Sequence, residues 1–140
     1  MTKLIRAIAL LCCCAIPMAM AGAGGEMRPA PVYDTEINYM SLAQAEQRLG
    51  QPGVRFYDVN VLEIWADGYI PGAIHFFVDN WKDLLPEDKG TEMIFYCANR
   101  LCNASEIAAH AVKAMGYTNV SQMPDGIFGW KMSGRAVEKP

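Results

Sequence analysis

The stretch MIFYCANRLCNASE, residues 93–106, decides the fold because the hydrophobic pattern changes within it. Its first five residues, 93–97, form a continuous apolar run bounded by turns, which is typical of a strand buried on both faces of a parallel sheet. From Asn103 onward the apolar residues follow the 3.6-residue period of a helix, with one stripe formed by Ile107, Ala108, Ala111, Val112 and Met115. The stretch therefore predicts a buried strand that ends at Cys97, a short loop and a helix.

The same alternation of short apolar runs and helical patterns continues on both sides of this unit. Further strands are predicted at residues 37–40, 54–59, 73–78 and 119–122. Helical segments are predicted at 41–49, 61–66 and 79–85, the first with a capping box from Ser41 to Gln44 and the third capped by Asp79. The central helix has a capping-box-like start from Asn103 to Glu106, and Gly116 has the position of its left-handed C′ residue. Strands that alternate with helices predict an α/β fold with a central, mainly parallel sheet flanked by helices.

The first 21 residues have the organisation of a secretory signal peptide. Two basic residues precede a continuous apolar run at 7–16, Pro17 breaks that run, and Ala19 and Ala21 supply the small residues of a cleavage site. The alternative is a buried N-terminal helix of the domain. The pattern predicts an exported protein, periplasmic or secreted, that is cleaved after Ala21.

Composition and charge limit the functional classes. The chain has 140 residues, 52% hydrophobic and 19% charged, which indicates a globular protein and argues against a disordered, collagen-like or coiled-coil chain. Twelve basic residues face 15 acidic ones without the basic stripe of a nucleic-acid binder, and the early apolar run is too short to predict a membrane span. The chain is predicted to divide into a signal peptide at 1–21, a flexible leader at 22–36 and one domain at 37–138.

Cleavage would leave two of the five cysteines, Cys97 and Cys102, in an oxidising compartment. A lipid on Cys12, Cys13 or Cys14 would make a lipoprotein, but the leucines before them fit a lipidation site poorly. Membrane contact is therefore predicted only if the chain is lipidated. A disulfide between two residues five positions apart closes too small a loop to stabilise much, which favours a chemical role for the pair.

Cys97 has the position of a nucleophile. In an open parallel sheet, ligands bind beyond the carboxyl ends of the strands, where loop amides and a helix N-terminus favour an anion. The same groups favour a thiolate over a thiol, and Arg100 adds a positive charge to the loop. The alternative is that Cys97 is simply a buried apolar residue.

Several stretches resemble the signatures of the rhodanese-like domain family. Residues 56–59, Phe-Tyr-Asp-Val, are similar to the strand that opens the first signature, and 67–73, Asp-Gly-Tyr-Ile-Pro-Gly-Ala, are similar to its Gly-His-Ile-Pro-Gly-Ala segment. Residues 94–97 and the following loop resemble the active-site strand and cysteine. Residues 116–120 and 125–130 resemble the closing Gly-Tyr-x-Asn-Val and Gly-Gly-x-x-x-Trp patterns, and all of these stretches occur in the family's order.

This resemblance implies a fold and a reaction. It implies a parallel sheet wrapped by helices and a sulfurtransferase whose Cys97 takes sulfur from a donor such as thiosulfate, carries it as a persulfide and passes it to cyanide or a thiol. The substrate-binding loop, whose amides hold the persulfide, would consist of Ala98, Asn99, Arg100, Leu101 and Cys102. The resemblance implies no cofactor. The partners would be small-molecule sulfur donors and acceptors, or a redox or sulfur-relay protein.

The chain departs from the family pattern at three places. Members often have Gly three residues after the cysteine and Arg or a small residue five after it, where this chain has Arg100 and Cys102. This change bears on whether thiosulfate is the donor. The usual Asp-Val-Arg reads Asp58-Val-Asn60, and the usual His is Tyr69; these two changes are predicted to alter packing more than chemistry.

Cys102 has two interpretations. A second thiol in the loop would attack a persulfide or sulfenic acid on Cys97 and close a disulfide, or it would only pack. His75 and His110 are not near the cysteines in sequence and are predicted to have structural or surface roles. No metal site is predicted, with copper(I) binding by the two thiolates as the alternative.

The residues thus support two functions. The first is an exported sulfurtransferase. The second is a non-enzymatic rhodanese-like sulfur carrier, redox sensor or interaction module that uses the Cys97 and Cys102 pair. Uptake of one sulfur atom from thiosulfate favours the enzyme, whereas a stable loss of two hydrogens under mild oxidation favours the redox module.

Overall fold

The described part of the chain is built on one parallel sheet. The computed structural model describes residues 30–140, so the predicted signal peptide and residues 22–29 of the predicted leader lie outside the described residues. The strands are β1 (Asn38–Tyr39), β2 (Val54–Asp58), β3 (Ile74–His75), β4 (Glu92–Tyr96) and β5 (Val120–Gln122). Their order is β1-β5-β4-β2-β3, and every neighbouring pair is parallel. The predicted α/β class is confirmed, and β4 is the central strand.

The helices are α1 (Leu42–Glu46), α2 (Leu62–Ala66), α3 (Ala104–Ala114) and α4 (Gly126–Met132), with a 3₁₀ helix at Trp81–Leu84. Ser41 caps α1 as predicted, because its hydroxyl accepts from the Gln44 amide at 3.3 Å while the Gln44 side chain accepts from the Ser41 amide at 2.9 Å. However, α1 stops three residues before its predicted end at Leu49. Gly116 follows α3 with φ of 95°, as its C′ position predicts. Within residues 30–140, no helix is long and apolar enough to cross a membrane.

The alternation of side chains along β4 places the cysteine on the α3 side of the sheet. Met93, Phe95 and Cys97 belong to the hydrophobic cluster that includes α3. Ile94 and Tyr96 belong to the opposite cluster, which includes α1 and α4. All five are buried, which explains why this strand reads as a continuous apolar run.

The third strand is shorter than the predicted 73–78. The Phe76 amide still donates to the Asp58 carbonyl at 2.8 Å, but the Val78 amide then turns back and donates to the Phe76 carbonyl at 2.9 Å. This turn ends the pairing. The apolar run continues beyond it because Phe76 packs in the core, while Phe77 lies at the surface.

Two predicted helix caps are wrong. Asp79 does not cap the 3₁₀ helix, because the residue that directly precedes this helix is Asn80. The Asn80 side chain makes no capping hydrogen bond either. Asn103 precedes α3 but its side chain does not cap the helix either. Glu106, predicted to complete that cap, instead accepts a hydrogen bond from the Tyr39 hydroxyl at 2.8 Å.

The buried face of α3 differs from the predicted apolar stripe. Ser105, Ala109 and Val112 are buried, whereas Ile107 is 49% exposed and Met115 is 40% exposed. Small side chains on the inner face allow the helix to lie close to the sheet. The predicted stripe was misplaced because the position of the sheet, and not the apolar count along the helix, decides which residues are buried: it left out both Ser105 and Ala109.

The end of the predicted leader packs against α3. Tyr33 stacks on His110 with the ring centroids 3.7 Å apart, and Thr35 Oγ1 lies 2.7 Å from His110 Nδ1. These two residues cover the imidazole, which is buried. His110 therefore has a structural role, as predicted, and Tyr33 and Thr35, at the end of the predicted leader, contact α3.

Asp58 ends β2 next to Tyr96 and is fully buried. Its Oδ1 accepts hydrogen bonds from the Asn60 amide at 2.8 Å and the Asn60 side chain at 2.7 Å, and the Asn60 carbonyl lies 2.8 Å from His75 Nε2. Asn60, one of the departures from the family pattern, therefore organises packing, as predicted. Burial raises the pKa of Asp58, and the bonds from Asn60 offset only part of this effect.

Replacing Asp58 with Asn should change the pH dependence of folding. Because the pKa of Asp58 is raised in the folded state, the folded chain binds this proton more tightly, and the free energy of unfolding falls as pH rises from the carboxyl's ordinary pKa through its raised value. Asp58→Asn removes this loss, so its stability relative to the natural chain should improve as pH rises. Urea titrations across the acidic to neutral range measure this. The control is Asp67→Asn, because the Lys131 ion pair lowers the pKa of exposed Asp67 and gives the opposite sign; parallel pH profiles for the natural chain and Asp58→Asn would contradict the expectation.

Candidate active site

Cys97 is the first residue after the central strand β4, where the structure was expected to place a nucleophile. Its side chain is only 1% exposed. Its carbonyl oxygen accepts from the Ile127 amide at 2.8 Å, and the next carbonyl, of Ala98, accepts from the Phe128 amide at 3.0 Å. The start of α4 thus fixes the backbone immediately after the cysteine side chain.

This close approach depends on Gly126. The residue has φ of 61°, and a Cβ at this position would lie 2.5 Å from the carbonyl oxygens of both Cys97 and Ala98. Real Cβ atoms do not approach backbone oxygens so closely, so only glycine allows the first turn of α4 to reach these two acceptors.

The Cys97 sulfur has polar neighbours on two sides. Its thiol donates to the Cys102 carbonyl at 3.1 Å, and the Ser105 hydroxyl donates to the sulfur at 3.3 Å. The Gln122 side chain in turn donates to the Ser105 hydroxyl at 3.0 Å, which leaves the Ser105 proton for the sulfur. The two predicted chemical residues, Cys97 and Cys102, are therefore brought together, and both are free thiols.

The expected stabilisation of a Cys97 thiolate does not hold in this resting geometry. Burial, together with a smaller effect of the Cys102 side chain, raises the pKa of the Cys97 thiol to about 11. The Ser105 hydroxyl and backbone amide, at the first turn of α3, act in the predicted direction and lower the pKa, but by less. Desolvation therefore wins over the helix N-terminus, and the thiol is protonated at neutral pH.

The loop after the cysteine is folded on Asn99. Its side-chain oxygen accepts from the Leu101 amide at 2.9 Å and its carbonyl accepts from the Cys102 amide at 3.0 Å. Two of the predicted substrate-binding amides are thus already used. Among the described residues, the amides of Ala98, Asn99 and Arg100 have no such acceptor, so they are the loop donors available to an anion.

The side chains of Arg100 and Leu101 do not line the sulfur. Arg100 Nε donates to Asp125 Oδ1 at 2.6 Å, and both residues border a groove of about 520 Å³ on the side of Tyr39 and Gln44. Leu101 is 94% exposed. The loop charge predicted to favour a thiolate is therefore paired with a carboxylate.

A second, apolar groove lies beside the amino-terminal half of α3. Its volume is about 430 Å³, and its lining includes Val59, Phe76, Phe77, Trp81, Ala104 and Ile107. Val59 and Phe76 belong to the same hydrophobic cluster as Cys97.

Tyr69, which replaces the family's usual His, stacks on Trp65 with centroids 3.7 Å apart, so this departure serves packing as predicted. Within residues 30–140, no three His, Cys, Asp or Glu side chains are grouped closely enough to hold a metal ion.

Sequence reasoning missed Ser105, Gln122 and Gly126. The capping-box pattern assigned no role to Ser105 itself. A serine three residues after Cys102, at the start of an apolar helix, nevertheless indicates a hydroxyl that can lie near a thiol. Gln122 gave no signal, because a polar residue at the end of a short strand is common. Gly126 lies in the closing Gly-rich pattern, but only the fold shows which backbone it touches.

Comparisons with known proteins agree with this geometry. The family model of the Rhodanese-like domain matches residues 41–133. An arsenate reductase from Oryza sativa subsp. japonica is 29% identical over 113 residues, covering 72% of this chain and 87% of the enzyme. The structure of a thiosulfate sulfurtransferase from Pseudomonas aeruginosa is similar with a TM-score of 0.65 at 23% identity, over 79% of this chain and 21% of that chain. A rhodanese-like domain from Anabaena sp. is similar with a TM-score of 0.61 at 23% identity, over 76% of this chain and 81% of that one. At these identities the two structures establish the fold.

Replacing Ser105 with Ala should slow reactions of Cys97. The variant loses a hydrogen bond that stabilises the thiolate, worth about 1.5 kcal/mol, so the pKa of Cys97 rises and alkylation at a fixed pH slows about tenfold. The measurement is the rate of iodoacetamide alkylation of Cys97 against pH, followed by peptide mass spectrometry. Ser121→Ala, another buried serine, is the matched control and should leave the profile unchanged. A profile for Ser105→Ala that overlies the natural one would show that the hydroxyl does not act on the sulfur.

Replacing Gly126 with Ala should destabilise the domain more than the same change at Gly134. Both glycines have positive φ, but a Cβ at Gly134 meets nothing within 4 Å. Gly134→Ala should therefore lose only about 1 kcal/mol of unfolding free energy for its backbone conformation. Gly126→Ala adds a collision with two carbonyls and should lose about 3 kcal/mol or more. Urea denaturation gives both values, and equal losses would refute the close-approach argument.

Proposed function

The chain belongs to the Rhodanese-like domain family, and from this premise we propose that it is an exported sulfurtransferase that carries sulfane sulfur as a persulfide on Cys97. The observation that carries the proposal is the position of Cys97: a free, buried thiol at the carboxyl end of the central strand, between α3 and a loop with free amides. In a parallel sheet this is where ligands bind.

The loading step needs a thiolate and a sulfane donor. With thiosulfate, the Cys97 thiolate attacks the outer sulfur, a Cys97 S–S bond forms, the S–S bond of thiosulfate breaks, and sulfite leaves with the electron pair. We infer that the amides of Ala98, Asn99 and Arg100, which have no backbone acceptor in the described part of the chain, bind the anionic donor and the persulfide. The Ser105 hydroxyl and amide stabilise the thiolate before attack.

The transfer step returns the cysteine to its starting state. An acceptor thiolate or cyanide attacks the outer sulfur, takes it with formation of a new bond, and the Cys97 thiolate leaves. The acceptor is a small thiophile or a thiol of a sulfur-relay protein. Burial of Cys97 restricts the reaction to acceptors that reach the loop, which protects the persulfide from unrelated thiols.

The protonated resting thiol has a kinetic consequence. Because the pKa of Cys97 is about 11, the thiolate fraction rises about tenfold for each unit of pH in the neutral range. Sulfur uptake should rise with pH in the same way, without the plateau expected of a cysteine with a strongly lowered pKa.

The similarity to the plant enzyme favours a second candidate, reduction of arsenate. In this reaction arsenate and two thiols give arsenite, one disulfide and water, and Cys97 and Cys102 are two adjacent thiols. Arsenate is therefore the second substrate to test beside thiosulfate and polysulfide. Formation of arsenite without any gain of sulfur would favour this candidate over the sulfurtransferase.

Export is proposed from the pattern of residues 1–21. Mass spectrometry of the N-terminus of the mature protein tests it. A first residue of Gly22 supports cleavage after Ala21, a lipid-modified cysteine supports a lipoprotein, and an exported chain that starts at Met1 contradicts the signal peptide.

Replacing Cys97 with Ser should abolish sulfur uptake. The reduced protein is incubated with thiosulfate or polysulfide, alkylated and digested with trypsin, which separates Cys97 on the peptide of residues 90–100 from Cys102 on that of residues 101–113. The Cys102→Ser variant, which cannot close a disulfide with Cys97, should gain one sulfur atom on the first peptide, and Cys97→Ser should gain none. Sulfur that appears on the second peptide of Cys97→Ser, or no uptake by Cys102→Ser from either donor, would overturn the proposal.

A further inference from the structure

We propose that Cys102 is the resolving thiol of this site: it attacks the persulfide on Cys97, expels the transferred sulfur as hydrogen sulfide and closes a Cys97–Cys102 disulfide. The inference rests on the proposed persulfide chemistry of Cys97. It adds a product, hydrogen sulfide, and a co-substrate class, a dithiol that reopens the disulfide.

The two cysteines are in contact before any reaction. The Cys97 thiol donates to the Cys102 carbonyl at 3.1 Å, and the Cys102 side chain is near enough to that thiol to raise its pKa. Both residues are free and both pack against the same hydrophobic cluster.

The loop holds Cys102 in this place. Its amide donates to the Asn99 carbonyl at 3.0 Å, and the preceding amide, of Leu101, donates to the Asn99 side chain at 2.9 Å. Between them, Arg100 is fixed by its ion pair with Asp125. The turn therefore brings residue 102 back to residue 97, which raises the local concentration of the second thiol at the first.

The burial of the two thiols differs in the way this role requires. Cys97 is 1% exposed and is covered on one side by the fully buried Ser105, so an external thiol has little access to its sulfur. Cys102 is partly exposed at the rim of the site. Cys102 is thus the thiol nearest to the inner sulfur, and in the disulfide its own sulfur is the one that an external dithiol can attack.

The step balances without an outside oxidant. The Cys102 thiolate attacks the Cys97 sulfur, a new S–S bond forms, the bond to the outer sulfur breaks, and the outer sulfur leaves with the electron pair as hydrosulfide. The proton lost by Cys102 completes hydrogen sulfide. Thiol–disulfide exchange with a dithiol then oxidises the dithiol and restores both cysteines.

Loading of Cys97 also releases Cys102 from its resting bond. The hydrogen bond to the Cys102 carbonyl needs the hydrogen of the unloaded Cys97 thiol. A Cys97 sulfur that carries a second sulfur has no hydrogen to donate. The bond that fixes residue 102 in the resting state is therefore lost at the step in which its thiol reacts.

The test compares the reduced natural chain with Cys102→Ser. Both are mixed with polysulfide in the absence of a dithiol, sampled over time, alkylated and digested with trypsin, and free sulfide is measured in parallel. A Cys97–Cys102 disulfide joins the peptides of residues 90–100 and 101–113, so it is distinguished from any bond of Cys12, Cys13 or Cys14, which lie on another peptide.

The natural chain should form the joined peptides and release about one sulfide per chain, and dithiothreitol should restore turnover. Cys102→Ser should load sulfur, which also shows that it is folded, and its persulfide should last at least about tenfold longer. Equal persulfide lifetimes overturn the inference. A persulfide that moves to the peptide of residues 101–113 also overturns it, because Cys102 is then a relay that accepts the outer sulfur.

Two outcomes separate this inference from the sulfurtransferase proposal. If neither polysulfide nor thiosulfate loads Cys102→Ser, the proposed function fails. If Cys102→Ser loads sulfur but the natural chain keeps its persulfide equally long and forms no joined peptides, the sulfurtransferase proposal stands and the resolving role of Cys102 fails.

Discussion

The structure of the site depends on how the chain leaves the central strand. The carbonyls of Cys97 and Ala98 accept hydrogen bonds from the first amides of α4, at 2.8 Å and 3.0 Å, and this contact is possible only because Gly126 has no side chain. Since the backbone is fixed on the α4 side, the Cys97 side chain must point to the α3 side, as the alternation of β4 also requires. Both neighbours of the sulfur, Ser105 and Cys102, are consequences of that orientation.

In the same arrangement, burial of Cys97 stabilises the core but lowers the reactivity of its thiol. The core needs an apolar residue at the end of β4, and a buried cysteine satisfies it, but desolvation raises the pKa of Cys97 to about 11. The Ser105 hydroxyl and amide lower the pKa of Cys97, but by less than burial raises it. The Gln122 side chain donates to that hydroxyl and orients it. The balance yields a thiol that is protonated and shielded from solvent in the resting state. A persulfide carrier benefits from this protection, because its loaded state is sensitive to any thiol that reaches it.

The sequence predicts those features of this structure whose causes lie within a few adjacent residues, and it misses those that depend on contacts between separate elements. The MIFYC run predicts the central strand, and the box from Ser41 to Gln44 predicts the start of α1, because both signals lie within a few adjacent residues. The inner face of α3 was predicted wrongly because its position depends on the sheet beneath it and not on its own apolar count. The Ser105–Gln122 bond joins two elements, so no local pattern contains it. Cys102 was singled out from spacing alone, whereas its contact with Cys97 required the turn at Asn99.

The pairing of Arg100 with Asp125 alters what attracts a substrate to this loop. A free arginine would draw any anion through its charge, whereas an exposed ion pair at 2.6 Å is close to neutral from a distance and contributes little. The attraction then comes from the free amides of the loop and the first turn of α3, which act only over short distances and require the anion to fit. In the proposed sulfurtransferase we therefore expect the shape of the loop backbone, more than its charge, to select the donor. On this proposal, a loop that lacks the family's usual glycine and arginine binds the anion beside Cys97 through its backbone amides.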